Sequence, residues 1–311
     1  CFVIAVYYAA ILAWASMYFI FSFTEAWGDD PAGFLMGEFL QVAETPHVGF
    51  DFVPQVAVPM LLVWVITLVV IGLGVKRGIS RANVVMIPLL LVMFLILVVR
   101  AVTLPGAVDG LNAFFTPNWA SLADPAVWAA AYGQIFFSLS IGFGIMITYS
   151  SYLRRRTNLT GSGLVVGFAN SSFELLAGIG VFAVLGFMAM SSGSEINDVA
   201  AGGIGLAFIA FPSIVSSTSA GPLIGALFFA SLVFAGFTSM ISIVEVVTSA
   251  IQDKLGLSRV ASTLVVGLPM AIASMLLLST TTGLYFLDIT DEFVNKFGIL
   301  LVAVVSMLVV A

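Results

Sequence analysis

In FAGFTSMISIVE, residues 234–245, the small or polar positions Ala235, Thr238, Ser239, Ser242 and Glu245 recur at i, i+3, i+4, i+7 and i+10. On a helix that spacing puts them on one face. A stripe of hydroxyl oxygens suits a hard cation such as dehydrated Na⁺. The same hydroxyls can equally bond to carbonyls of their own helix, the common fate of Ser and Thr in apolar helices. A second stretch, GQIFFSLSIGFG at residues 133–144, sets Gln134, Ser138 and Ser140 among apolar residues, with Gly142 and Gly144 straddling Phe143. Glycine weakens a helix interior. If the helix breaks there, its freed amides and carbonyls must line a cavity or coordinate something; a close helix crossing through small residues fits the same pattern. The third group is Asn170 and Glu174, one turn apart in GFANSSFELLAG. A carboxylate inside so apolar a run is costly enough to mark function by default, although a structural Glu bonded to neighbouring Asn or Ser is the other reading.

The elements that must position these groups are membrane spans. The 311-residue chain is 61% hydrophobic and 8% charged, with a mean hydropathy of +1.18, and its apolar runs are continuous and near helix-spanning length. Continuous runs of that length also argue against a β-barrel, whose strands alternate and are shorter. The pattern predicts an all-α polytopic membrane protein with spans at about 2–23, 53–75, 83–104, 126–152 (unwound near 138–144), 162–190, 221–252, 259–279 and 288–311. An extracellular loop carrying short helices is expected at about 191–220.

Lys76, Arg77 and Arg81, then Arg154, Arg155 and Arg156, then Lys254 and Arg259 place eight of the ten basic residues in alternate loops. The opposite loops hold most of the acids, among them Glu25, Asp29, Asp30, Asp109, Asp124, Glu195, Asp198, Asp288, Asp291 and Glu292. The positive-inside rule then makes the basic loops cytoplasmic and the first span outward-running. The net charge of −6 is a solvated surface rather than a nucleic-acid-binding device. Lone Cys1 and lone His47 argue against a disulfide framework and a Cys/His metal site. With no histidine in the spans, an intramembrane enzyme using Ser140 or Glu174 is disfavoured. Because the chain opens on Cys1 and closes on Ala311 inside apolar runs, it reads as a fragment.

The same stretches resemble the neurotransmitter:sodium symporter family, in particular bacterial sodium-dependent amino acid transporters with the leucine-transporter fold. GQIFFSLSIGFG with ITYSSYLRRR resembles the family's unwound sixth helix and its inner end. AVYYAAILAW is similar to the third helix, FANSSFELLAG to the seventh, FAGFTSMISIVE to the eighth, and LDITDEF to the outer end of the tenth. The resemblance covers essentially the whole chain. It implies an inverted-repeat fold of which helices three to ten of twelve are present.

Carried over residue by residue, the resemblance implies that the Tyr8 hydroxyl meets the substrate carboxylate; a Tyr at the membrane rim would be the plain alternative. Ile4, Phe137, Ser140, Phe143, Ser239 and Ile243 match side-chain pocket positions. Ser138 and Asn170 match ligands of a first sodium site that also touches the substrate carboxylate. The Ala235 carbonyl and the Thr238 and Ser239 hydroxyls match a second. Each site would be completed by the missing first helix. Glu174 stands where chloride-independent members carry a carboxylate, with Gln134 nearby, so no chloride is expected and Glu174 is the candidate charge-compensating or proton-carrying group. Asp291 matches the acidic half of an outer gate. Tyr152 and Asp253 match inner-gate members, although Asp253 beside Lys254 also reads as a plain surface pair. Met240 departs from a small polar residue found in some relatives, and Lys296 has no counterpart role.

The implied function is sodium-coupled symport of an amino acid or similar small zwitterion by alternating access, in a bacterial inner membrane. An amine carrier and a transport-inactive sensor or scaffold on the same fold stand as alternatives. Partners are the small-molecule substrate and the lipid bilayer, with no nucleic acid; oligomeric state is not readable.

Overall fold

The computed structural model describes residues 1–47, 49–74, 78–154, 156–196, 204–216 and 220–310. Lys76, Arg77, Arg155 and Asp198 lie outside the described residues, as does part of the loop expected at 191–220. Helices account for the architecture: α1 Phe2–Phe21, α2 Pro54–Gly72, α3 Ser80–Val102, α4 Ala107–Phe115, α5 Pro125–Ser138, α6 Ile145–Ser151, α7 Leu159–Ser192, α8 Gly221–Leu255, α9 Arg259–Leu278 and α10 Gly283–Phe293. A widened π-helical turn, Val294–Gly298, joins α10 to α11, Ile299–Val310. No strand forms among the described residues; one isolated bridge pairs Phe52 with Thr280.

Six of these helices, α1, α2, α3, α7, α8 and α9, are long and apolar enough to cross a membrane. The two other apolar stretches are interrupted, one between α5 and α6 and one at the widened turn before α11. In lipid such interruptions cost unpaired backbone groups unless protein or a cavity receives them. That constraint makes them the places to look for function.

The core centres on α1, which packs against α8, α2 and α9. Its inward residues are small or aromatic, with Ala5, Ala9, Ala10 and Ala13 fully buried and Trp14 and Tyr18 nearly so. Small residues let helices approach closely where lipid supplies no hydrophobic drive for association. At the acidic end, Tyr18 stacks on Trp27 at 5.7 Å and meets Phe208 and Phe229 edge-on or tilted at 5.0 and 5.1 Å. Aromatic contacts of this kind contribute roughly 0.5–1.5 kcal/mol each beyond burial. Trp27 Nε1 also donates to Ser216 Oγ at 2.9 Å, joining the segment after α1 to the short helix Phe211–Ser216.

A second layer is built by α3, α4 and α7. Helix α4, which the apolar pattern does not single out, lies against α7 so closely that a Cβ at Gly110 would fall 1.8 Å from the Phe182 carbonyl oxygen. Only glycine fits there. The outward faces of α2 and α3 expose Leu61, Leu62, Ile66, Val85, Leu91 and Val92, as a lipid-facing surface requires.

Candidate functional site

Helix α5 stops at Ser138 and α6 begins at Ile145. Between them the chain takes left-handed conformations at Ser140 (φ 53°), Gly142 (φ 82°) and Gly144 (φ 78°). Glycine adopts these at no steric cost, whereas Ser140 carries a strain of order 1–2 kcal/mol. Strained residues of this kind cluster at functional sites, which makes this turn a candidate one. The turn is held by wide or short backbone bonds, Ile141 N–H to the Phe136 carbonyl at 2.8 Å and Ser140 N–H to that of Phe137 at 3.1 Å. Phe137 and Phe143 face each other across it, centroids 5.9 Å apart and nearly perpendicular.

Three helices wall this turn. From α7, Asn170 Nδ2 donates to Ser138 Oγ at 2.6 Å. A hydroxyl and an amide oxygen set together in a partly buried place are a fitting pair of donors for Na⁺. One turn further along α7, Glu174 Oε1 accepts from Gln134 Nε2 of α5 at 3.2 Å, so the amide tethers the carboxylate toward the broken helix. From α1, the Tyr8 hydroxyl faces Ser239, and Ile4 is buried with Ile243 in the same core against which Phe143 packs.

From α8 come the remaining oxygens. The Thr238 hydroxyl donates to the Ala235 carbonyl at 2.8 Å, and Ser242 donates to the Thr238 carbonyl at 2.9 Å. Both hydroxyls thus spend their protons on their own helix, the commoner fate noted above. The Thr238 hydroxyl oxygen keeps acceptor lone pairs beside the Ala235 carbonyl, whereas Ser242 Oγ is taken up by Tyr149. Helix α6 is fastened to the same face of α8: Tyr149 OH and Ser242 Oγ lie 2.7 Å apart, and Val246 Cγ1 lies where a Cβ on Gly144 would touch it, at 3.4 Å.

At the basic end, the Tyr152 hydroxyl donates to Glu245 Oε1 at 2.6 Å and lies 3.2 Å from Ser249 Oγ. Arg259 grips the same carboxylate with both ends of its fork, Nη1 on Oε1 at 2.8 Å and Nη2 on Oε2. Its Nε donates to the Ile71 carbonyl at the end of α2 at 2.9 Å. Glu245 is fully buried while Arg259 keeps 20% of its side chain exposed. Glu245 therefore does not reach toward water on its own, as its place in the sequence alone would allow; it sits at the hub joining α2, α6, α8 and α9.

Of the other candidates, Asp253 is exposed and forms no ion pair among the described residues. Asp291 accepts from Asn295 Nδ2 at 2.8 Å. The buried Tyr7 hydroxyl turns toward Asp291 without reaching hydrogen-bond geometry. Lys296 pairs with Glu292 one turn back, exposed on both sides. Met240 is completely buried and fills core rather than lining the turn. Tyr7 and Tyr149 lie inside AVYYAAILAW and ITYSSYLRRR, where only Tyr8 and Tyr152 stand out, and Arg259 carries no motif of its own. The only sequence signal for Arg259 is a cation at a helix start one loop beyond a buried acid.

Comparison with known proteins agrees with this geometry. Residues 27–311 match the model of the sodium:neurotransmitter symporter family. A sodium-dependent transporter of Methanocaldococcus jannaschii is 39% identical over 309 residues, 99% of this chain and 63% of that protein. The sodium- and chloride-dependent glycine transporter 1 of Xenopus laevis is 32% identical over 224 residues, 70% of this chain and 35% of that one. The crystal structure of MhsT in complex with L-phenylalanine superposes with a TM-score of 0.78 at 29% identity, covering 95% of this chain and 65% of that chain. The chain thus spans less than two thirds of the relatives it matches first. Its helical order, the interrupted α5–α6 pair and the matches over nearly its whole length lead to one assignment: the chain belongs to the sodium:neurotransmitter symporter family.

Proposed function

We propose that the full-length protein is a secondary carrier that couples downhill Na⁺ entry to uptake of an amino acid or similar small zwitterion by alternating access, without chloride. The observation that carries this reading is the interrupted α5–α6 pair, with Ser140, Gly142 and Gly144 left-handed and Asn170 bonded to Ser138 beside it. Broken helices at mid-membrane are how transporters present backbone groups to ions and substrate. Ser138 and Asn170 would ligate one Na⁺, and Ala235, Thr238 and Ser239 a second. Tyr8 would hold the substrate carboxylate, and Ile4, Phe137, Phe143 and Ile243 would enclose an apolar side chain; the similar structure of MhsT was solved in complex with L-phenylalanine, an amino acid with such a side chain.

Two cations and a zwitterion bring surplus positive charge into a low-dielectric site, and Glu174 offsets it where other members use an anion. Ion and substrate then raise each other's affinity by the same factor, which is the coupling. The Tyr152–Glu245–Arg259 cluster acts as the closure at the basic end, which faces the cytoplasm, and Asp291 as half of the opposite one.

The test is uptake by the full-length protein in sodium-gradient liposomes with chloride replaced by gluconate. Accumulation that needs Na⁺ and ignores chloride supports the reading. Substrate binding with no accumulation would make it a sensor on the same fold, and chloride-dependent uptake would remove Glu174 from its role.

A further inference from the structure

Asp291 of α10 and the widened turn that follows it form one unit. From inside that turn, Asn295 donates from Nδ2 to Asp291 Oδ1 at 2.8 Å. The next residues repeat the spacing on the exposed side, where Lys296 pairs with Glu292. Two rungs thus cross the junction between α10 and the π-helical turn, one an amide on a carboxylate and the other an ion pair. With the Lys296 ammonium on Glu292, Asp291 has no cation within ion-pair distance among the described residues. A neutral amide orients a carboxylate without quenching its charge. Widened turns of this kind are frequent at functional sites.

Asn295 is a poor choice for stability alone. Its Oδ1 is buried and has no partner among the described residues, and a half-satisfied buried amide is worse than a well-packed apolar side chain. A second orphan faces the same acid from α1, which packs against α10. The Tyr7 hydroxyl is buried, unpartnered and turned toward Asp291, on a residue only 2% exposed. Both atoms are covered by residues described here, so no further part of the protein is needed to bury them. A stranded phenol beside a carboxylate is a waiting donor: a rotation of Asp291 toward it makes a charge-assisted hydrogen bond. The bond to Asn295 holds the acid out of that arrangement.

We infer that Asn295 is a positioning residue, a latch that keeps the Asp291 carboxylate presented to a cationic counterpart and off the Tyr7 hydroxyl. This rests on the assignment of Asp291 to the closure at the acidic end. While the latch holds, the acid can close the entrance; when it slips, Tyr7 captures the acid and the entrance stays open.

The experiment uses the full-length protein with Cys1→Ser and a single reporter cysteine, Ile4→Cys, which lies one turn beyond Tyr7 from the acidic end. A membrane-impermeant methanethiosulfonate applied at the acidic face reads how often that end is open. Asn295→Ala is expected to raise the labelling rate about ten-fold, the worth of one hydrogen bond to a charged group. Tyr7→Phe alone does not raise it, and Tyr7→Phe combined with Asn295→Ala returns the rate to near the parent value, a rescue that a merely structural loss does not permit. Asn295→Ser, a milder change, gives the same pattern, and Asp291→Asn labels faster than the parent. A parent rate in Asp291→Asn would sink the closure assignment and the latch with it. A raised rate there beside a parent rate in Asn295→Ala, or a raised rate that Tyr7→Phe fails to reverse, would overturn the latch alone.

Discussion

The Tyr152 hydroxyl, just beyond α6, donates at 2.6 Å to Glu245, a fully buried carboxylate of α8 that is also clamped by Arg259. Removing one partner of such a cluster leaves the other charge stranded, which is far costlier than losing a surface pair. Glu245→Ala should destabilise the protein by about 3 kcal/mol, whereas Tyr152→Phe, which leaves the ion pair intact, should cost about 1 kcal/mol. Thermal unfolding of the detergent-solubilised full-length protein reads both. Near-equal losses would mean that Arg259 finds another partner.

Because Tyr152 joins α6 to α8 while Arg259 joins α8, α9 and α2, the two variants should also separate functionally. Tyr152→Phe frees the α6 side alone, so the basic-end entrance should open more often. A cysteine placed at Ser249, 3.2 Å from the Tyr152 hydroxyl, should react with a membrane-impermeant maleimide faster in the Tyr152→Phe background. An unchanged rate would show that the contact is not part of the closure.

Asn170 and Ser138 form a 2.6 Å contact between α7 and the end of α5. Under the proposed ligation, losing an oxygen contact comparable to a hydrogen bond with a charged group, about 1.5–3 kcal/mol, means that Asn170→Ala should raise the Na⁺ concentration needed for half-maximal substrate binding about ten-fold or more. Asn170→Asp, which keeps an oxygen donor, should recover part of it. Equal loss in both would point to packing rather than ligation.

At Gly144, φ is +78° and the nearest atom to an added Cβ is Val246 Cγ1 at an ordinary 3.4 Å. The penalty of Gly144→Ala is therefore backbone strain, about 1–2 kcal/mol, not a clash. It should weaken substrate binding by roughly ten-fold, and Ser140→Gly, which relieves a strained left-handed residue, should leave the protein at least as stable as the parent. A destabilised Ser140→Gly variant would show that the serine side chain holds the turn.

These contrasts show what was legible in the chain. The helical class was, because apolar runs of spanning length leave few folds available. Gly142 and Gly144 advertise a weak point in a helix, but nothing in the residue type says that Ser140 shares their conformation; the turn as a whole imposes it. The widened turn at Val294–Gly298 carries Asn295 and Lys296 inside the run read as the last span, but residue type alone does not say that the winding widens there. Asn170 and Glu174 are readable as polar intruders, yet their partners Ser138 and Gln134 lie 32 and 40 residues away on another helix. The Glu245–Arg259 pair was hidden for the same reason, since periodicity along one helix cannot name a neighbour on the next.

Glu174 accepts from Gln134 at 3.2 Å across the α5–α7 contact, and the proposed function assigns it the charge-compensating role. Glu174→Ser should turn chloride-indifferent uptake into uptake that rises with chloride, because the missing charge can then be supplied by a bound anion. Gluconate-for-chloride exchange in liposomes measures it. Persistent indifference would place the compensating charge elsewhere.

The hydrogen bond from Trp27 to Ser216 gives the short helix Phe211–Ser216 a fixed end. Phe211 at its other end stacks on Phe228 of α8 and the preceding Phe208 is buried against Tyr18 and Phe229, so the segment is tied at both ends and shares the rigidity of the α1–α8 core.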